Sequence, residues 1–262
     1  MARAKRHYLP GYIWHITHRC HKREFLLKFS KDRRRWLQWL YQARKRYGLT
    51  ILNYMVTSNH IHLLVAGNEE RDVIPKSMQL IAGRTGQEYN QRKNRKGAFW
   101  EDRYHATAIE SGDHLFQCLV YMDLNMVRTG IVSHPSQWPF GGYKEIQRPR
   151  KKNILIQYDK LMELFGTGSY EQVQRYHKEM VDTYLHNGNG RDDKWTRSIA
   201  VGSKGFVNKV KKELGGLAKG RKVRAAGESY QLRETSAPYM SKLRLGKGDI
   251  AIDNGYFWDI NA

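Results

Sequence analysis

The chain contains very little cysteine. Cys20 and Cys118 are the only two thiols among its 262 residues. Two cysteines cannot form a disulfide framework, and they cannot supply the ligands of a cysteine-based zinc site. A reducing compartment is therefore the simplest expectation for this protein.

Long apolar runs are also missing. No segment approaches the roughly 20 apolar residues of a membrane-spanning helix. Residues 1–10 carry charge but lack the apolar centre of a leader peptide. We find no internal repeat. These absences predict a soluble intracellular protein with no membrane partner.

Acidic residues are scarce relative to basic ones. The chain has 25 Asp and Glu against 46 Lys and Arg, a formal net charge of +21. Such an excess disfavours self-association and attracts polyanions, of which nucleic acid is the commonest in a cell. We expect a cytoplasmic, nucleoid-associated protein, although a ribosome-associated or merely basic surface is the alternative.

A His-x-His pair stands within an apolar stretch at residues 56–65. Successive side chains of a strand point to opposite faces, so His60 and His62 share one face while Ile61 faces the other. Two imidazoles spaced by one pleat repeat form half of a small divalent-metal site. The same pattern also occurs as two ordinary, half-buried histidines.

The order of predicted elements in residues 12–110 indicates the fold class. It reads strand, helix, strand, strand, helix, strand, which is typical of a ferredoxin-like α+β sandwich with an antiparallel sheet and two helices on one face. In that topology the first and third strands are central, so the histidine pair lies on a central strand. The predicted elements span residues 12–18, 30–47, 50–57, 60–66, 72–90 and 105–110.

A third helix is predicted over residues 113–127. Its apolar stripe leaves Tyr121 and Asn125 together on the less apolar side, one turn apart. A tyrosine hydroxyl can form a covalent phosphotyrosine. With an ordinary pKa of about 10 it needs assistance, which a divalent metal on the phosphate supplies. An amphipathic tyrosine at a helix flank is the alternative interpretation.

These motifs together resemble a known family. His60 and His62 on a strand, the segment 121–130 downstream, then the Trp-Pro-Phe segment at 136–140 and Tyr143 occur in the same order in the single-tyrosine transposases with a His-hydrophobic-His motif. Within that family, residues 5–145 resemble most the REP-associated tyrosine transposases. Met126 stands where many members have proline.

The resemblance implies a specific chemistry. A Mg²⁺ or Mn²⁺ ion is held by His60, His62 and Asn125, and Tyr121 is the nucleophile. The implied enzyme is a DNA endonuclease and strand transferase. It cleaves and rejoins single-stranded DNA near hairpins through a 5′-phosphotyrosine, with single-stranded or hairpin DNA as its partner and a homodimer as a possible assembly.

Basic residues outside the reactive groups are candidates for contacting the DNA backbone. The run 90–97 is highly basic, is expected to be flexible, and has almost no apolar content. The predicted nucleic-acid-binding residues are Arg19, Arg23, Arg92, Lys93, Arg95, Lys96, Arg103 and Arg128.

Two domains are predicted, a catalytic domain at 1–147 and a basic, mainly helical region of unknown fold at 148–262. The second region contains predicted helices at 158–165, 170–185 and 204–214. The basic run 219–224 follows as a tail, and strand-like fragments occupy 236–262. This region either grips DNA or is a solvated helix with a disordered tail.

Two other functions fit the same motifs. A nickase of chromosomal hairpin repeats that no longer mobilises itself has identical chemistry. A non-catalytic single-strand binder instead needs exposed sheet aromatics, such as Tyr12 or Trp14, and no metal. The group that accepts the tyrosine proton is left open among metal-bound water, His105 and His114, and either histidine is alternatively an ordinary surface residue.

Overall fold

The computed structural model describes residues 9–234 except 189 and 191, so the fragments predicted at 236–262 lie outside the described residues. The predicted ferredoxin-like order is confirmed, with the helices α1 and α2 each following a strand. The first six elements are β1 (Ile13–Arg19), α1 (Ser30–Tyr47), β2 (Thr50–Val56), β3 (His60–Ala66), α2 (Val73–Arg92) and β4 (His105–Ile109).

The order of strands in the sheet places the histidine pair at its centre. The four strands run β2-β3-β1-β4, all antiparallel, with β3 and β1 in the middle as predicted. In this register Thr17 lies opposite His62 and Arg19 lies opposite His60. Residues paired directly across an antiparallel sheet share a face, so these side chains stand on one surface.

Helix α1 follows from its apolar spacing. Trp36, Leu40 and Ala43 recur every three or four residues, and all three are fully buried. The helix ends at Gly48, which adopts φ 69°, a left-handed conformation that glycine tolerates without steric cost. The sequence-based bounds of this helix are thus confirmed.

The sheet continues beyond β4, which the sequence analysis did not predict. Strand β5 (Ala200–Gly202) pairs parallel with β4, and the hairpin of β6 (Arg221–Ala226) and β7 (Ser229–Glu234) extends the sheet to seven strands in the described chain. The basic run expected as a tail is therefore mostly strand β6. Its alternation is weak because β6 lies at the sheet edge with both faces largely exposed.

The helices after β4 complete the described chain. Those predicted at 158–165, 170–185 and 204–214 are present, and Ser203 Oγ accepts a hydrogen bond from the Phe206 amide at 3.2 Å, which caps the last of them. These elements are α3 (Asp113–Asp123), α4 (Asn125–Arg128), α5 (Tyr143–Gln147), α6 (Tyr158–Phe165), α7 (Tyr170–Asn187), α8 (Lys194–Arg197) and α9 (Lys204–Leu214).

The predicted boundary at residue 147 coincides with the end of α5, yet the sheet extends across it because β5 joins β4. The division into two domains stays a prediction. No helix in the described ranges is long and apolar enough to cross a membrane.

Helix α3 is shorter and more deeply buried than its sequence predicts. The helix expected over 113–127 is interrupted at Leu124, whose ψ of 1° separates α3 from α4. Eight of the eleven residues of α3 are buried. The chain after residue 147 covers the less apolar side of this helix as well.

A buried polar network fastens α3 to α7. His177 Nε2 lies 2.8 Å from Asp123 Oδ2, and both side chains are fully buried. The Asn53 amide donates to Asp123 Oδ1 at 3.1 Å, and the Gln147 amide lies 2.9 Å from His177 Nδ1. Each carboxylate oxygen and each ring nitrogen therefore has a partner. This network fixes the helix that carries Tyr121 to its neighbours.

We expect Asp123→Ala to lower the free energy of unfolding by about 3 kcal/mol, because it leaves the buried His177 without its acceptor and removes one of the two acceptors of Asn53. Urea denaturation followed by circular dichroism measures the change. The exposed pair Lys160–Glu163 provides the control. Glu163→Ala should cost less than about 1 kcal/mol, and equal losses in both variants would contradict the network's role.

Candidate active site

The histidine pair lies on the sheet, at the base of the candidate site. Both side chains project from β3 onto the same face, with ring centroids 4.9 Å apart. His62 is only 2% exposed, whereas His60, at the end of the strand, is half-buried. The geometry agrees with the alternation expected from the sequence.

A third histidine, which the sequence analysis missed, lies beside the pair. His15 on β1 is fully buried and stacks on His62 with ring centroids 5.1 Å apart. Its Nε2 lies 2.9 Å from His62 Nδ1, and its Nδ1 lies 2.8 Å from the backbone oxygen of Trp195 in α8. A chain of hydrogen bonds therefore runs from α8 through β1 to β3.

This chain determines where each ring carries its hydrogen. A carbonyl oxygen only accepts, so Nδ1 of His15 donates to Trp195, and Nε2 of the neutral His15 ring then accepts from Nδ1 of His62. The lone pair of a neutral His62 is consequently on Nε2. A metal ion requires a ring nitrogen in this form.

The turn that precedes His60 places the hydrogen of its ring on the same nitrogen, Nδ1. The Thr57 hydroxyl donates to the His60 carbonyl at 2.8 Å, so its oxygen accepts from His60 Nδ1 at 2.9 Å. The Asn59 side-chain oxygen lies 2.7 Å from the same nitrogen. Both histidines of the pair thus carry hydrogen on Nδ1 and present Nε2 as the lone-pair nitrogen.

Burial keeps His15 uncharged. Desolvation lowers the pKa of His15 to about 4, against the partial compensation of its bond to the Trp195 carbonyl. Burial also lowers the pKa of His105, whose Nε2 donates to the Ser198 carbonyl at 2.9 Å. Ser198, shortly before β5, thus holds His105 in place. The Nδ1 atom of His114 lies 3.4 Å from Glu110 Oε2.

Tyr121 lies over the histidines, but it is buried. Its ring centroid is 6.1 Å from that of His62 and 6.3 Å from that of His15. The side chain is 8% exposed because Trp195 lies 6.1 Å away on its other side. The sequence places Tyr121 off the apolar stripe of α3, where a core aromatic is not expected, yet the residue is buried in the core because α8 covers it.

Asn125 and Arg128 approach the same place from α4. The Asn125 amide nitrogen lies 3.1 Å from His62 Nε2. Arg128, predicted to bind nucleic acid, places its guanidinium 4.2 Å from the centroid of the Tyr121 ring and donates to the Tyr121 carbonyl at 2.7 Å. The break between α3 and α4 therefore does not separate Asn125 from the tyrosine's surroundings.

The donor set is small. Among the residues that the structure describes, no group of three or more His, Cys, Asp or Glu side chains is placed to hold a metal ion. His60, His62 and the amide of Asn125 nevertheless fit a divalent ion, since both rings present Nε2. An amide's oxygen and nitrogen exchange places by a flip, so Asn125 can offer either atom to the site.

Two predicted DNA-binding arginines lie near the histidines. Arg19 is paired across the sheet with His60, is exposed, and lies 3.9 Å from Glu101. The exposed Arg23 contributes its carbonyl to the Asn59 amide at 3.3 Å, next to His60. Arg103 is exposed just before β4. The structure brings Arg19 and Arg23 to the histidine end of β3.

Part of the basic run 90–97, which composition predicts to be flexible, makes internal contacts. Arg92 is still helical and forms an ion pair with Asp32. Arg95 donates to the Asn90 side chain and the Ala98 carbonyl and lies 3.4 Å from Glu24. These internal bonds engage two of the four predicted cations of the run. Lys93 and Lys96 are exposed, and Lys93 lies 5.4 Å from the Phe29 ring centroid.

Known proteins are similar to this chain over its first half. Residues 9–121 match the model of the family described as "Transposase IS200 like". Those residues are therefore similar to the IS200-like transposases, in agreement with the family resemblance predicted from the motifs. The match supports a DNA-processing function of the transposase type.

Solved structures give more distant likenesses. A REP-associated tyrosine transposase bound to a REP hairpin shares 19% identity over 59% of this chain and 90% of its own, with a TM-score of 0.47. A putative transposase from Deinococcus radiodurans R1 shares 15% identity over 50% of this chain and 92% of its own, with a TM-score of 0.33. No curated protein sequence matches the chain.

The lowered pKa of His15 predicts a pH dependence of stability. Between pH 6.5 and pH 4 the unfolded chain binds a proton at this ring and the folded chain does not. Stability therefore falls as the pH falls, by about 1.4 kcal/mol per pH unit from this group. His15→Gln, neutral throughout, should reduce the slope by that amount in urea denaturation series, and equal slopes would show that the folded ring titrates normally.

Proposed function

We propose that the chain is a metal-dependent single-stranded DNA transesterase, a transposase that cleaves and rejoins DNA near hairpins. The observation that supports it most strongly is that Tyr121, His62 and Asn125, from the three separate elements α3, β3 and α4, lie together. Packing of a tyrosine in the core does not by itself require two imidazoles and an amide beside its ring. The family match over residues 9–121 agrees with this proposal.

The proposed step is an exchange of phosphoester bonds. The Tyr121 oxygen attacks the phosphorus of a DNA phosphodiester, forming a new oxygen–phosphorus bond as the bond to the 3′-oxygen breaks. The tyrosine loses its proton, and the departing oxygen gains one to become a 3′-hydroxyl. The product is a 5′-phosphotyrosine that conserves the energy of the original bond. Strand transfer is the reverse reaction with a different 3′-hydroxyl.

His60, His62 and Asn125 would hold the metal ion. A bound Mg²⁺ or Mn²⁺ supplies Lewis-acid polarisation of a phosphate oxygen and fixes its position. The contribution of this chain is to fix the ligands: the carbonyl of Trp195 orients His15, which orients His62. Thr57 does the same for His60.

Cations around the tyrosine would position the DNA. The Arg128 guanidinium lies over the Tyr121 ring, where it would hold the ring in place and bring positive charge close to the tyrosine that reacts. Arg19 stands across from His60 on the open end of the sheet, where a phosphate would enter. Positioning and charge stabilisation of this kind need no nucleotide cofactor.

The non-catalytic alternative has less support. A binder that stacks bases on its sheet requires exposed sheet aromatics, but Trp14 is fully buried and Tyr12 is partly buried against Phe206, with ring centroids 5.8 Å apart. The nickase alternative shares the proposed chemistry and differs only in strand transfer, which an acceptor strand with a free 3′-hydroxyl reveals.

The direct test is a covalent adduct. The full chain incubated with Mn²⁺ and hairpin-bearing single-stranded DNA should give an SDS-resistant complex, and Tyr121→Phe should abolish it because the nucleophilic oxygen is gone. Tyr176→Phe, at an exposed tyrosine of α7, is the matched control and should retain it.

Loss of both imidazoles in His60→Ala with His62→Ala should also abolish the adduct, whereas His186→Ala on the exposed end of α7 should not. An adduct that persists in the Tyr121 variant, or one indifferent to the histidine pair, would refute the proposed reaction.

His15 should act on the metal through His62. We expect His15→Leu to weaken Mn²⁺ binding by about 10- to 100-fold, as loss of a residue that orients a metal ligand usually does. The electron spin resonance signal of free Mn²⁺ measures this without DNA or turnover. His15→Gln keeps a donor and an acceptor and should bind more tightly than His15→Leu. Unchanged binding in a folded Leu variant would exclude the positioning role.

A further inference from the structure

The segment from Cys20 to Phe29, which joins β1 to α1, has an unusual combination of properties. Its backbone is hydrogen-bonded to the turn before His60, yet it exposes two phenylalanines. We call residues 20–29 the β1–α1 segment. Neither the motifs nor the proposed cleavage step accounts for its aromatic residues.

Backbone hydrogen bonds fasten the segment to the turn that leads into His60. The Cys20 amide donates to the Asn59 carbonyl at 2.8 Å, and the Leu27 amide donates to the Ser58 carbonyl at 2.9 Å. The Arg33 guanidinium, itself buried, donates to the Leu27 carbonyl at 3.0 Å. These bonds keep the segment next to the proposed metal ligands.

The backbone also adopts a conformation that side chains disfavour. Lys22 and Arg23 have φ values of 49° and 60°, both left-handed and both non-glycine. Such residues are uncommon and concentrate at functional sites, where the surrounding structure holds them. Here the conformation turns the two basic side chains out to solvent while Leu26 and Leu27 are buried.

Phe25 and Phe29 remain exposed although their neighbours are buried. Phe25 is 64% exposed and Phe29 is 55% exposed, and they are two of the five large apolar side chains exposed within the described residues. Because the adjacent leucines anchor the segment, these rings are not exposed through local disorder. Lys93 lies 5.4 Å from the centroid of the Phe29 ring and adds a cation to it.

The segment is rich in positive charge. Between residues 19 and 31 the chain carries five Lys or Arg and one acidic residue, Glu24, which lies 3.4 Å from Arg95. An aromatic face with cations at its edge provides what a single strand requires, a surface for its bases and charge for its phosphates. In a duplex the bases are already stacked and cannot use such rings.

We propose that Phe25 and Phe29 form a stacking platform for bases of single-stranded DNA next to the scissile phosphate. In this arrangement Lys22, Arg23 and Lys28 contact the phosphate backbone of the DNA strand. The inference rests on the proposed function and specifies how that site would select unpaired DNA. A second copy of the chain is a poorer occupant because each copy carries a formal charge of +21.

Equilibrium binding without added metal tests the platform apart from cleavage. Fluorescence anisotropy of a labelled single strand of about 15 nucleotides should show that Phe25→Ala binds about tenfold more weakly than the parent. Phe25→Trp should bind at least as tightly. Leu217→Ala, at an exposed apolar residue of the C-terminal half, should have no effect.

Two substrates distinguish stacking from other causes. A duplex of the same length should bind the parent and Phe25→Ala equally, and so should a strand whose bases are replaced by abasic sites. A loss of equal size on all three substrates would overturn the platform, as would unchanged single-strand affinity. Light scattering that shows a dimer in the parent and a monomer in Phe25→Ala would assign the rings to a second copy instead.

The platform and the proposed chemistry fail in different experiments. If the parent forms the Tyr121 adduct while Phe25→Ala binds normally, the cleavage function stands and the platform is wrong. If Phe25→Ala loses single-strand binding while no adduct forms, the platform stands as a binding site and the proposed reaction is wrong.

Discussion

The site depends on one line of hydrogen bonds, which begins at the Trp195 carbonyl, passes through the buried His15, and ends at His62. Because a carbonyl can only accept, every hydrogen along this line has one allowed place while the rings are neutral. The strand register brings His15 and His62 together, and α8 must lie on the same face of the sheet to supply the acceptor. The local chemistry of one imidazole therefore requires three distant parts of the chain to be correctly folded.

A second set of buried polar contacts holds the opposite side of the site. Asp123 and His177 lie where α3 meets α7, and they join the tyrosine's helix to the C-terminal half of the described chain. These contacts and the packing of Trp195 against Tyr121 show that α7 and α8 help to hold the tyrosine in position. The sheet also joins the two halves of the chain, because β5 pairs with β4.

Much of this arrangement is predictable from the sequence because it follows local periodicity. Alternation places His60 and His62 on one face, and helical spacing identifies α1, α6 and α9. The burial of Tyr121 is not predictable, because it results from a contact with Trp195, more than seventy positions later. His15 gave no signal beyond alternation within β1, and the short strands β5 to β7 bury too few side chains to show a period. The ion pairs of Arg92 and Arg95 were missed because composition alone does not reveal partners.

The acceptor at Trp195 is a backbone atom, and this has a consequence for how the sequence can vary. Any residue at that position offers a carbonyl, so substitutions there leave the hydrogen bond to His15 chemically intact and change only the covering of Tyr121. An insertion or deletion within α8 would instead move the carbonyl away from the ring. The state of His62 thus depends on where α8 lies and not on the side chain at position 195, while the covering of Tyr121 depends on that side chain.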